Sequence, residues 1–283
     1  MSSYIGFYIN LSSQKKRNQF MLHQLKHMGM AHFFERLEAT PIPIDGLRLA
    51  RQMACRSSHT RILEKNLHSK QHIHVFEDDV TLCTNYRQTL DELLMQIPYK
   101  WDILYTGINL SNFENYELSA FLAANRTTAS VLDLQKCRFD GAFSYLVHKD
   151  AISKIHNILK TEQPSEPIDT LLLRHINSGN IVAYGVFPTF AKHSYSFGSS
   201  IDDDDNRLAY RIIIGGLYQE FFYTHYNQQE VAQIVQKIGE ELGYKIKESI
   251  KILDDITIIN ALASLHSMSV IKRAGVFTPS LSY

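Results

Sequence analysis

Apolar positions near the N-terminus fall into two rhythms. Tyr4-Ile5-Gly6-Phe7-Tyr8-Ile9 is a compact apolar run that predicts a strand. It breaks at Asn10-Leu11-Ser12-Ser13, and a cationic stretch, Gln14-Lys15-Lys16-Arg17, follows. Met21, Leu22, Leu25 and Met28 then recur at helical spacing, with Gly29 as a C-terminal stop. Strand, polar loop and helix make the opening unit of a nucleotide-binding α/β domain. A second helix is predicted over residues 47–67, with Arg51, Cys55, Ser58, His59 and Ile62 along one stripe. It leads into an alternating segment, His72-Ile73-His74-Val75-Phe76, which reads as a buried strand. Later segments include an apolar, Gly-containing strand entered from Asp140, a helix through Leu171-Leu172-Leu173, and a strand over Ile181 to Phe187. From about Leu217 the character changes: Val231, Ile234, Val235, Ile238 and Leu242 lie at amphipathic helical spacing, and residues 250–262 form another apolar, helical stretch. This predicts a catalytic unit over 1–210 and a mainly helical extension over 211–283, whose apolar faces suit packing on the parent domain, a homodimer surface or an acceptor groove.

The third strand carries the chemistry. It ends in Glu77-Asp78-Asp79, which delivers hard oxygen ligands to one point at a sheet edge, where open α/β sheets bind ligands. Mg²⁺ and Mn²⁺ favour oxygen, and Mg²⁺ sites pair one or two carboxylates with substrate phosphates. Strand alternation would let Glu77 and Asp79 share a face while Asp78 points away. A solvated acidic turn is the bland alternative. No Gly-x-Gly-x-x-Gly and no Walker A pattern occurs, which argues against dinucleotide cofactors and P-loop chemistry. A Ser/Asn loop followed by Arg17 suits a sugar nucleotide, although Arg17 on its own reads as an exposed helix charge. His59 on its own reads as a hydrogen-bonded packing residue.

Composition narrows the class. The 283 residues are 45% hydrophobic, ample for one large α/β domain. The 29 basic and 29 acidic residues balance, so nothing suggests a nucleic-acid partner. Cys55, Cys83 and Cys137 lack paired spacing, which argues against a disulfide framework and a zinc site. No signal peptide and no spanning apolar run is evident, so a soluble, cytoplasmic protein is expected, at the inner membrane face if its acceptor is lipid-anchored.

An ordered series of short matches resembles glycosyltransferase family 25, the bacterial lipopolysaccharide and lipooligosaccharide glycosyltransferases related to collagen galactosyltransferases. The series runs through Tyr8-Ile9-Asn10-Leu11 with Ser13 and Arg17, Glu38-Ala39, Asp45-Gly46, Cys55 with Ser58-His59, and Glu77-Asp78-Asp79-Val80. It continues through Trp101-Asp102-Ile103-Leu104, Gly141 to Val147 with Ala151, and Pro167-Ile168-Asp169, fading after Val186-Phe187-Pro188, so that it covers roughly residues 4–200. Residues 111–136 and everything after about Asn206 match poorly.

The resemblance implies a GT-A fold with a Rossmann-like N-terminal half, a UDP-sugar donor of galactose or glucose, a saccharide or glycolipid acceptor, and inversion at the anomeric carbon. Asn10, Ser13, Arg17, Ser58, His59 and Asp78 would line the nucleotide-sugar site. Glu77 and Asp79 would hold Mn²⁺ or Mg²⁺, joined by His193, since many GT-A enzymes complete the shell with a C-terminal-side histidine. The loop Phe197-Gly198-Ser199-Ser200 would close over the donor. Asp169 is the expected base and Asp140 its competitor or an acceptor ligand; the plain alternative for Asp169 is an N-cap. Two other readings stay open: a protein-modifying transferase, and an inactive binding protein whose C-terminal helices carry the function.

Overall fold

The computed structural model describes residues 4–41, 48–97, 100–109, 129–135, 137–162, 165–194 and 223–224. The loop at 197–200 and all of the expected helical extension except 223–224 lie outside them. In chain order the elements are β1 (Tyr4–Asn10), α1 (Lys15–His27), β2 (Phe34–Glu38), α2 (Arg48–Lys65), β3 (His72–Glu77), β4 (Val80–Leu82) and α3 (Tyr86–Leu94). Then come β5 (Ile103–Asn109), β6 (Ser130–Asp133), β7 (Asp140–Val147), α4 (Ile152–Thr161), α5 (Ile168–Asn177), β8 (Ala183–Phe187) and β9 (Ala191–His193). The first strand, both N-terminal helices and the acidic strand fall where the apolar rhythm puts them. Gly29 closes α1 at φ +64°, in the left-handed region a helix C-terminus favours.

A seven-stranded mixed sheet runs β2-β1-β3-β7-β5-β8-β6, and a two-stranded sheet pairs β4 with β9. Strands β2, β1 and β3 are parallel neighbours, joined by α1 and α2. The chain leaves β1 toward β2 and returns on its other side as β3, which makes β1/β3 a topological switch point. Asn10 ends β1 and Glu77 ends β3, with Ile9 paired to Glu77.

Each sheet face has its own core. Phe7, Ile9, Ile73, Val75, Ile103 and Tyr105 pack against α2, α4 and α5, whereas Tyr4, Tyr8, Phe76 and Leu104 pack against α1 and α3. The period of two along a strand sorts these side chains, and full burial of each large one contributes roughly 1.5–3 kcal/mol. Phe76 stacks on Phe34 with centroids 4.9 Å apart. The same alternation puts Glu77, the last residue of β3, on the α2 face. At Gly107, a Cβ would come within 2.7 Å of the Ala191 carbonyl oxygen and 2.5 Å of the Phe143 ring. Glycine there lets β9, which carries His193, lie close on β5.

Candidate active site

Three loops and a helix start converge at the carboxyl end of β1 and β3. Asn10 is buried, and its Nδ2 donates to Asp78 Oδ2 at 2.6 Å and to the Gln14 carbonyl at 3.2 Å, while its Oδ1 accepts from Arg36 Nε at 2.8 Å. Arg17 is not an exposed helix charge: it is 6% exposed, and its Nη1 reaches Asp78 Oδ1 at 3.1 Å and Asp79 Oδ2 at 3.0 Å. The cation is buried because α1 packs against β4, just past the end of β3, where Gln24 holds the Val80 carbonyl and the Leu82 amide. Asp78 and Asp79 form a turn, so strand alternation stops at Glu77. Asp79 therefore shares Arg17 with Asp78 instead of simply following Glu77. Burial pushes the Asp78 carboxyl up to about 6, with the Asp79 charge adding to it against Asn10 and Arg17.

Across the turn, His193 Nδ1 stands 3.3 Å from Asp79 Oδ1. The β4–β9 ladder holds it there, with Val80 opposite His193, and the Ser194 amide donates to the Asp79 carbonyl at 2.6 Å. Burial alone would lower the imidazole's proton affinity, but the Asp79 carboxylate, with Glu77, outweighs it and the net shift is upward. Asp79 behaves as the complement: burial would raise it, and His193 and Arg17 together bring it below the usual carboxylate range.

On the α2 side, Glu77 Oε1 lies 3.6 Å from His59 Nε2 and 4.0 Å from Cys55 Sγ, and His59 Nδ1 pairs with the Tyr145 hydroxyl at 2.9 Å. His59 is thus both a packed residue and one that faces the acids. The Cys55 thiol is pushed well above its usual range by burial first, then by the charges of Glu77, Asp169 and Asp79. Those three carboxylates, from β3, the β3–β4 turn and α5, all act on one sulfur atom.

Asp169 sits in the first turn of α5 without being its N-cap; Pro167 holds that position. Its Oδ1 accepts from the Thr170 amide at 2.8 Å and its Oδ2 from the Gly141 amide at 3.4 Å. The two acids weighed as base are therefore brought side by side, since Asp140, exposed at the start of β7, immediately precedes Gly141. Arg56 positions this helix from α2. Its guanidinium donates to the carbonyls of Leu159, Glu162 and Glu166 at 2.8–3.0 Å, tying down the segment that leads into α5.

Two expected nucleotide contacts sit differently. Ser58 Oγ donates to the Ala54 carbonyl at 2.9 Å and accepts from the Thr40 amide at 2.8 Å, so it fastens the loop after β2. Ser13 is exposed in the turn after β1. Sequence reasoning missed Arg36 and Tyr145. Arg36 reaches Asn10 only through the β1–β2 register, which no local motif encodes. Tyr145 is marked only as a hydroxyl-bearing ring inside an apolar strand.

The donor set can be tested against the divalent cation that the fold type implies. Asp79 Oδ1 is a buried carboxylate oxygen with no well-directed hydrogen bond, and an imidazole nitrogen lies beside it. Oxygen plus imidazole suits Mn²⁺. The residues fit.

Among the described residues, no helix is long and apolar enough to cross a membrane. No curated protein matches the chain. Residues 49–172 match glycosyltransferase family 25 (LPS biosynthesis protein), a stretch that runs from α2 into α5 and contains Cys55, His59, Glu77, Asp78, Asp79, Asp140 and Asp169. It is shorter than the span of the short matches in the sequence, and Asn10, Arg17 and His193 fall outside it. This match of residues 49–172 to a glycosyltransferase family 25 domain supports a glycosyltransferase, an enzyme that joins a sugar donor to an acceptor.

Proposed function

We propose that the protein transfers galactose or glucose from a UDP-sugar to a saccharide acceptor with inversion, aided by Mn²⁺ or Mg²⁺, in lipopolysaccharide or lipooligosaccharide assembly. The observation that carries this reading is His193 against Asp79, with Arg17 joining Asp79 to Asp78, at the carboxyl end of the β1/β3 switch point. The matched family, that of LPS biosynthesis proteins, supports the pathway class.

Asp79 and His193 would hold the cation, with the charge of Glu77 acting on His193 from the α2 side. When bound, such an ion supplies neutralisation of the charge that develops on a departing diphosphate. Arg17 fixes the turn that presents Asp79, and Asn10 fixes Asp78 behind it. Asp169 is the base: held by the Gly141 and Thr170 amides, its carboxylate accepts the proton of the acceptor hydroxyl as that oxygen attacks the anomeric carbon. Asp140, exposed at its side, binds the acceptor. A lipid-linked acceptor would bring the enzyme to the inner face of the membrane.

The test is UDP release from a panel of UDP-sugars by the full-length protein, with Mn²⁺ and with chelator, using lipooligosaccharide fragments as acceptors. Release from UDP-galactose or UDP-glucose that stops with chelator supports the reading. Turnover of neither donor sinks the hexose assignment, and undiminished turnover under chelation sinks the ion.

A further inference from the structure

Cys55 and His59 lie one turn apart on α2, four residues in sequence, so their side chains share a face. Glu77 arrives against that face from the end of β3. One ligand atom from each of the three lies within 4.8 Å of the others, with His59 Nε2 at 3.6 Å and Cys55 Sγ at 4.0 Å from Glu77 Oε1. The imidazole–carboxylate separation is long for a hydrogen bond and the thiol–carboxylate one is at the limit of a thiol hydrogen bond. Both are a little wider than the edges of a tetrahedral Zn²⁺ site, whose bonds are roughly 2.0–2.3 Å.

His59 adds an independent observation. Its side chain is 0% exposed, and its Nε2 has no hydrogen-bond partner while aimed at the carboxylate. Buried imidazole nitrogens are seldom left so. The opposite nitrogen is held by Tyr145 Oη at 2.9 Å, the orienting contact a metal-bound histidine usually has. We propose that Cys55 Sγ, His59 Nε2 and Glu77 Oε1 form a binding site for a thiophilic divalent cation of the Zn²⁺ class. Binding breaks the Cys55 S–H bond, releases that proton to solvent and forms a metal–thiolate bond. A mixed sulfur, nitrogen and oxygen set selects Zn²⁺ over the hard Mn²⁺ or Mg²⁺ assigned to Asp79 and His193. The inference rests on the geometry of α2 and β3 and stands whether or not the donor reading holds. The sequence concealed it because only two ligands are close in the chain and the third comes from another element.

The experiment is a Co²⁺ titration of the full-length protein followed by absorption, with Zn²⁺ binding measured by calorimetry. A sulfur-to-cobalt charge-transfer band that Zn²⁺ abolishes is expected. Cys55→Ser should remove the band, and His59→Gln should weaken Zn²⁺ binding by about tenfold or more. No band in the unaltered protein overturns the site. So does a band that survives Cys55→Ser. If Cys55→Ser fails to fold, the Cys83→Ser/Cys137→Ser protein decides: retention of the band supports the site and its loss overturns it. UDP release with Mn²⁺ reads the donor site separately.

Discussion

His193 Nδ1 lies 3.3 Å from Asp79 Oδ1, although the two come from distant parts of the chain. Asp79→Asn keeps the side chain's shape and removes the charge that faces His193 and any bound cation. Activity is expected to fall at least about a hundredfold, with Mn²⁺-UDP affinity falling too, because a charge at the ion is lost with no substitute. Calorimetry of Mn²⁺-UDP binding checks this; unchanged affinity would remove Asp79 from the site.

Arg17 is the buried counter-ion of two carboxylates. Arg17→Met removes the cation shared by Asp78 and Asp79, leaving only Asn10 on the first and His193 on the second. It is expected to cost about 3–5 kcal/mol of stability near neutral pH, measured by urea unfolding. The cost should shrink at pH 5, because Asp78, already pushed up to about 6 by burial, takes a proton. Equal losses at pH 8 and pH 5 would refute this account of the pair.

Asp169 and Asp140 separate by role. Asp169→Asn preserves an acceptor for the Thr170 and Gly141 amides but removes basicity. It should lower kcat by about 10²–10⁴ with little change in Tm or donor binding. Asp140→Asn should act mainly on acceptor KM. Steady-state kinetics of both variants decides, and near-normal turnover of Asp169→Asn would transfer the base assignment to Asp140.

Acid should destabilise the fold through β3. Burial pushes the His74 imidazole down to about 3, and burial with His148 and Lys149 pushes His72 down to about 4. Between pH 6.5 and these values the unfolded chain binds protons that the folded chain refuses, so this stability is present above pH 6.5 and lost as pH falls. From pH 6.5 to 4.5 the His74 share is about 2–3 kcal/mol. His74→Gln, which can keep the bond to the Tyr86 hydroxyl, should flatten that slope in urea titrations. An unchanged slope would mean that His74 is not its source.

Much of the frame was legible because it is written locally. The apolar run of β1, the helical spacing of Met21 and Leu25, and the alternation of His72 to Phe76 each need only a few neighbouring residues to be read. The acidic cluster at the strand end was legible for the same reason. On its own Arg17 read as an exposed helix charge, and only the family-like series singled it out, since nothing in Gln14-Lys15-Lys16-Arg17 says which of three cations turns inward. Asp169 was placed correctly at a helix start, but the helix begins at Ile168 and its cap is Pro167, while the Asp169 carboxylate accepts from the Gly141 amide of β7.

Sequence by itself determined the element types, the α/β class and the family-like order of short motifs, since periodicity and turn chemistry are properties of adjacent side chains. Only the tertiary structure decided which groups meet. The β4–β9 ladder brings His193 to Asp79, the α1 packing buries Arg17 against two aspartates, and α2 lays Cys55 and His59 against Glu77. These contacts depend on strand register and on which helix covers which face of the sheet. Both are settled by the burial of the whole core, which no short stretch of chain encodes.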